Sequence, residues 1–135
     1  MGRQIYVNLP VNDVAKTKAF FAALGFQFEP KFSNDDAVCM IVADDIYVML
    51  LVERFFKSFI SKELCDAKQS TEVLVCLSCD SRAEVDQQVG KAVAAGGRIL
   101  REPQDYGFMY SHAFEDLDGH IWELVYMNTD APVSA

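Results

Sequence analysis

Apolar and polar positions follow two periods along this chain, and each period appears twice. Residues 5–11 read as a strand, after which Asn12 and Asp13 offer a helix cap. Val14, Thr17, Phe20, Phe21 and Leu24 recur at helical spacing and form one apolar stripe. Gly25 ends that helix, and residues 26–32 resume strand character. Residues 37–42 and 46–52 are two more strands, joined at Asp44 and Asp45. The second half repeats the order. Residues 73–79 form a strand, and Ser81 with Glu84 is a capping box. Val85, Val89, Ala92 and Val93 make the helical stripe, Gly96 and Gly97 close it, and residues 98–101 return to strand. Residues 108–114 and 120–127 are the last strands, joined at residues 116–119.

Both halves therefore read β-α-β-β-β. Each copy is too small to cover both faces of its own sheet, so the expected fold sets two copies side by side. The fold class is α+β: paired β-α-β-β-β modules forming a cupped mixed sheet around a cavity. Equivalent positions in the two modules should face that cavity. The expected organisation is a single domain over residues 1–135. Residues 3–52 form the first module, 53–70 a connecting segment, 71–127 the second module and 128–135 a loose tail. In the connecting segment Phe55, Phe56, Phe59 and Ile60 have helix-like spacing, with Arg54, Lys57 and Lys62 among them. Two readings stand for it: an amphipathic helix covering the cleft, or a linker helix on the sheet edge.

Composition narrows the function classes. Hydrophobic residues make up 51% of the chain, enough for a core that needs no disulfide or metal. The formal net charge of −8 argues against nucleic acid and against anionic membrane surfaces, which require basic patches. The first residues lead straight into a strand, without the pattern of a signal peptide, and no apolar run reaches the ~18–20 residues of a membrane span. A cytoplasmic location is expected. Cys39, Cys65, Cys76 and Cys79 lie in apolar segments and read as buried, reduced thiols. Cys76-x-x-Cys79 resembles half a zinc site, but residues three apart on a strand face opposite ways.

The closing hairpin carries the sharpest chemistry. Asp118-Gly119 is a turn signal. In the strand that follows, Trp122 and Leu124 share one face, and Ile121, Glu123 and Val125 the other. Glu123 thus sits within an otherwise apolar strand, where a buried carboxylate is costly unless it is partnered. Either it is partnered, or the strand is an edge and Glu123 meets solvent. A regular hairpin pairs Glu115 with His120, Phe114 with Ile121 and His112 with Glu123. His112 and Glu123 would then share a face, flanked by Tyr110 and Phe114. Such a pair could orient a general base, anchor a polar ligand or simply satisfy two buried side chains. His120 reads as an exposed turn residue and Trp122 as packing on a helix. Tyr106, Phe108 and Tyr110 alternate and would either line a cleft mouth or fill the core. Glu84 and Asp86 read as a solvated helix face.

The doubled module, the opening Asn8-Leu9-Pro10-Val11-Asn12-Asp13 and the ending Asp116-Leu117-Asp118-Gly119-His120-Ile121-Trp122-Glu123-Leu124 resemble the vicinal oxygen chelate superfamily. That superfamily includes glyoxalase I, extradiol dioxygenases, fosfomycin-resistance enzymes and bleomycin-resistance proteins. The likeness spans residues 3–127, and Tyr106-Gly107-Phe108-Met109-Tyr110 adds similarity to small bacterial glyoxalase-like proteins.

The resemblance implies a divalent metal held by side chains of both modules. Carried over, its ligand positions fall at Tyr6, Met49, Leu74 and Glu123. Only Glu123 matches, and the chain's two histidines, His112 and His120, both lie in the second half. No cofactor is therefore expected, and a divalent metal would have to rely on Glu123 with non-standard ligands. The favoured function is a metal-independent small-molecule binding protein of the bleomycin-resistance type. Its ligand would be apolar or aromatic, with a polar group near His112 and Glu123. Tyr6, Asn8, Met49, Leu74, Phe108, Tyr110 and Phe114 would line the site. The alternative is a lyase, isomerase or dioxygenase of the same superfamily, using such a metal or His112 and Glu123 as an acid–base pair. The resemblance also implies a homodimer, to which the Phe-rich segment could contribute.

Overall fold

The computed structural model describes residues 2–128 and 130. Of the tail expected at 128–135, residues 129 and 131–135 lie outside the described residues. The chain divides into two compact units, residues 1–65 and 66–135.

The first unit runs β1 (Ile5–Val11), α1 (Val14–Ala23), β2 (Gln27–Phe28), a 3-10 turn (Pro30–Phe32), β3 (Ala37–Ala43), β4 (Ile46–Val52) and α2 (Glu53–Lys57). Its sheet has the order β1-β4-β3-β2, with β1 and β4 parallel and the other pairs antiparallel. Helix α1 starts where the Asp13 carboxylate accepts the Lys16 N–H at 3.0 Å. It stops at Gly25, whose φ of +98° is open to glycine at little cost. Val14, Thr17, Phe20, Phe21 and Leu24 are all buried, so the stripe seen in the sequence is the core face.

The second unit runs β5 (Leu74–Ser78), α3 (Arg82–Ala94), β6 (Gln104–Asp105), β7 (Met109–Glu115) and β8 (Ile121–Met127). Its order, β5-β8-β7-β6, repeats that of the first, again with one parallel pair, β5 with β8. Ser81 caps α3 by accepting the Glu84 N–H at 3.0 Å. The Glu84 carboxylate in turn accepts the Asp80 N–H, one residue ahead of the cap. The fold is thus α+β, two β-α-β-β-β modules each with a four-stranded mixed sheet.

Four local expectations are corrected. Strand character over 26–32 survives only at Gln27–Phe28. Pro30 has no N–H for a ladder and opens the 3-10 turn, and the Ser33 hydroxyl donates to the Glu29 carbonyl at 2.6 Å. At 98–101 one bridge forms, Arg98 with Glu115, before the chain leaves the sheet and returns as β6 beyond Pro103. Helix α2 ends at Lys57 because the Ser58 hydroxyl takes the Phe55 carbonyl at 2.6 Å, a bond that competes with helix continuation. Phe55 and Phe59 pack edge to face, yet both remain exposed. Val93 is exposed because it lies a further 100° around α3 from Ala92, off the stripe of Val85, Val89 and Ala92.

Candidate functional site

In the second module, the register of β7 with β8 decides which side chains can act together. Glu115 faces Ile121, Phe114 faces Trp122, Ala113 faces Glu123 and His112 faces Leu124. This corrects the expected pairing of His112 with Glu123. The loop is one residue longer than the turn signal suggested. It closes where the Asp116 N–H donates to the His120 carbonyl at 2.9 Å and the Gly119 N–H to the Asp116 carbonyl at 3.2 Å. A slip of one residue exchanges the faces, so His112 and Glu123 point to opposite sides of the sheet.

Tyr110, His112 and Phe114 share the helix-packed face with Trp122 and Leu124. Phe114 and Trp122 are buried with near-parallel rings, centroids 6.4 Å apart. The Tyr110 hydroxyl donates to the Asp86 carboxylate of α3 at 2.7 Å, which pushes the phenol up to about 12. Asp86 is therefore not simply solvated. His112 is buried, and its Nδ1 lies 3.6 Å from the same carboxylate, an ion-pair distance only when the ring is protonated. Among the described residues neither ring nitrogen of His112 has a hydrogen-bond partner. Tyr110, His112 and Phe114 thus stand with the core, away from the face that carries Glu123. Phe108 precedes β7, half-buried, its ring 6.3 Å from Tyr106.

The opposite face of this sheet is exposed at Leu74 and Cys76 of the edge strand β5, and it carries the half-buried Glu123 beside the buried Ser111 and Ala113 of β7. Cys76 is the residue directly opposite Glu123 across the parallel pair, and Leu74 lies opposite Ile121. The Glu123 carboxylate is partnered. Arg101 Nη2 donates to it at 3.1 Å and also to the Ser111 hydroxyl at 3.3 Å, while Nη1 donates to the Glu102 carbonyl. Both charged side chains keep about a quarter of their surface in solvent, 30% for Arg101 and 25% for Glu123. Arg101 escaped the sequence reading because it is 22 residues from Glu123 in the chain and lies in no regular strand.

The first module brings its predicted residues together. Asn8 lies opposite Met49, Cys39 opposite Met49 on the other side, and Tyr6 opposite Tyr47. The rings of Tyr6 and Tyr47 stack at 4.8 Å and 12°. The Asn8 amide donates to the Tyr6 carbonyl at 3.3 Å. Tyr6 and Asn8 are exposed and Met49 is half-buried.

Asp116 also escaped notice in the sequence, and so did the burial of His120, expected in solvent. Asp116 accepts the backbone N–H groups of Asp118 and His120 and the indole N–H of Trp122, all at 2.9–3.0 Å. Burial pushes its carboxyl above the usual range, opposed by His120 and by these donors. The signal was present as Asp at the first position of a tight turn, a residue that bonds its own backbone two residues on.

No disulfide forms among the described residues; only Cys39 is fully buried, and Cys65 and Cys76 are exposed, contrary to expectation. Burial, then a hydrogen bond with Glu84, pushes Cys79 up to about 12. A raised thiol stays protonated at neutral pH and ionises only as pH approaches that value. Iodoacetamide at about pH 8 should therefore alkylate Cys65 and leave Cys79 intact, as read by peptide mass spectrometry. Equal labelling of the two would contradict this placement.

A divalent cation requires several oxygen or nitrogen donors converging on one point. Here the Glu123 carboxylate is engaged by a guanidinium, and its nearest register partners are Cys76 and Ala113. Among the described residues no three His, Cys, Asp or Glu side chains are placed to hold a metal ion. This donor set does not fit the metal centre that the sequence resemblance implied.

Two β-α-β-β-β modules, each with a four-stranded mixed sheet, define a class, and comparison with known proteins identifies it. The chain belongs to the Glyoxalase/Bleomycin resistance protein/Dioxygenase superfamily, whose family model matches residues 3–124. Among solved structures it is similar to a hypothetical protein from S. aureus, with 30% identity, a TM-score of 0.79 and coverage of 93% of this chain and 95% of that one. A glyoxalase/bleomycin resistance protein/dioxygenase family enzyme from Burkholderia phytofirmans PsJN shares 17% identity at a TM-score of 0.77, covering 93% and 99%. A fosfomycin resistance protein from Listeria monocytogenes shares 19% at 0.68, covering 96% and 97%. The last two share the fold alone. No curated protein matches the sequence. No helix among the described residues is long and apolar enough to cross a membrane.

Proposed function

We propose that this protein is a metal-independent small-molecule binding protein that takes its ligand on the sheet surface of a module. One observation carries the reading: Glu123, the family-type carboxylate, is neutralised by Arg101 at 3.1 Å. A guanidinium takes up a carboxylate through directed N–H bonds and leaves it a poor ligand for a hard cation. On the second module's sheet Leu74 supplies apolar surface beside the polar Arg101 and Glu123, a combination that suits an amphipathic molecule. On the first module's sheet Tyr6, Asn8 and Met49 supply aromatic, amide and apolar surface. His112, on the opposite face of its sheet, no longer serves as its anchor or as the acid–base partner of Glu123.

Elemental mass spectrometry of protein purified without chelator or affinity tag tests this. The expected result is metal far below one equivalent per chain, with no thermal stabilisation on adding Fe, Mn, Ni or Zn. Near-stoichiometric metal that disappears in Glu123→Ala would replace the reading with that of a metalloenzyme.

A further inference from the structure

The stacked tyrosines of the first module are held at both ends, although Tyr6 is exposed and Tyr47 only half-buried. The Tyr47 hydroxyl donates to the Asp44 carbonyl at 2.8 Å, and the Tyr6 hydroxyl to the Gln4 side chain at 3.1 Å. Rings held at both ends lose little further freedom when something stacks on them. Their order in the sheet puts Tyr6 at the end of the stack. Tyr47 lies between Ile41 of β3 and Tyr6 of β1. Strand β1 is the edge of that sheet, so no further strand of it lies beyond Tyr6, which is 43% exposed.

The surroundings select for charge. The turn joining β3 to β4 carries Asp44 and Asp45, and neither makes an ion pair among the described residues. Tyr47 feels them: its phenol is raised first by burial, then by Tyr6 and Asp45, with Cys39 and Asp44 adding less. Arg3, just ahead of β1, is one basic residue against two acidic ones. An aromatic face is itself the negative pole of the ring quadrupole. The net charge of −8 works in the same direction at longer range. Two residues along the same face, Asn8 spends its amide N–H on the Tyr6 carbonyl, leaving its side-chain oxygen to accept from a ring N–H.

We infer that the outer face of Tyr6 is a stacking site for a flat aromatic cation, such as a fused-ring heterocycle with delocalised positive charge. The site extends the Tyr47–Tyr6 stack by one ring, with Asp44 and Asp45 as counter-charges and Asn8 as the directional acceptor. The inference rests on the small-molecule binding reading and names the ligand class that its first-module face takes.

Fluorescence anisotropy with proflavine, a planar cation, tests it beside pyrenesulfonate, a planar anion. Proflavine should bind saturably. Tyr6→Ala should weaken it about tenfold, whereas Tyr6→Phe should leave it within about twofold, since the ring face and not the hydroxyl makes the contact. Asp45→Asn should weaken it about threefold and reduce its salt dependence. If Tyr6→Ala fails to fold by circular dichroism, Tyr6→Leu, which keeps apolar bulk and removes the π face, decides instead. Unchanged binding by the folded variant, or pyrenesulfonate binding as tightly as proflavine, overturns the inference. If proflavine does not bind while other compounds stabilise the protein in a thermal screen, this inference falls and the binding reading stands. If no compound stabilises it, both fall.

Discussion

Replacing Asp116 with alanine is expected to destabilise the protein by about 3–5 kcal/mol, a loss of roughly 10 °C or more in melting temperature. The carboxylate is 6% exposed and takes three donors: the N–H groups of Asp118 and His120 and the indole N–H of Trp122. Trp122 is 1% exposed, so its N–H would be left in the core without its acceptor. Each stranded donor costs about 1–3 kcal/mol, which exceeds what the alanine methyl recovers. Asp116→Asn should cost less, about 1–2 kcal/mol, because Oδ1 can still serve the two backbone groups while the new amide opposes the indole donor. Urea denaturation of the three proteins measures the order. A loss below about 1 kcal/mol in Asp116→Ala would show that this knot does not hold the hairpin.

Gly119→Ala is the second large effect, expected at about 2–4 kcal/mol. Two costs add. Gly119 sits at φ +91°, where an L side chain costs about 1–2 kcal/mol. The new Cβ would also stand 2.9 Å from the carbonyl carbon and oxygen of Ala67, backbone atoms that cannot rotate away. Relief requires moving either the hairpin tip or the turn at residues 66–70, which is pinned by Gln69 and Ser70 N–H groups donating to the Asp66 carbonyl. Gly25→Ala is the internal control. It has φ +98° and nothing within 4 Å of the added carbon, so only the conformational cost applies. Thermal melts should therefore place Gly119→Ala below Gly25→Ala by about 1–3 kcal/mol, and equal losses would remove the steric part of the argument.

Both substitutions act on the device that sets the β7–β8 register, and through it on which side chains share a face. Asp116 and Gly119 together make a loop of residues 116–120. That length puts Glu123 opposite Ala113 on one face and sends His112 to the face under α3. A four-residue loop at residues 116–119 would have aligned His112 with Glu123. The difference is one residue of loop, and it separates a His112–Glu123 pairing from a Glu123 carboxylate met by an arginine.

Local signals carried much of this fold. The helical stripes of α1 and α3, the Asp13 and Ser81 caps, the glycine stops and the doubled β-α-β-β-β order depend on residues within a few positions of one another. Backbone geometry and side-chain periodicity act over the same range, so such features are legible in one dimension. The closing motif was equally legible, and the family match over residues 3–124 agrees with it. The alternation of β8 placed Trp122 in the core and Glu123 on the other face. Of the seven residues expected to line a site, Tyr6, Asn8 and Met49 share a face of the first sheet, whereas Tyr110 and Phe114 lie on the helix-packed face of the second.

Tertiary structure alone decided the rest. Asp86 faces Tyr110 across 24 residues and Arg101 faces Glu123 across 22, and no spacing in the chain announces either meeting. The stack of Tyr6 on Tyr47 exists only because β1 and β4, distant in sequence, lie side by side in parallel register. Register itself turned on where the Asp116 side chain found its donors, a three-dimensional match that hydrophobic period cannot report. The sequence determined which elements form and which face of each is apolar, because those are short-range energies. Which polar groups meet on the sheet faces was determined by chain packing, because a hydrogen bond or ring contact has an energy only once both partners are in place.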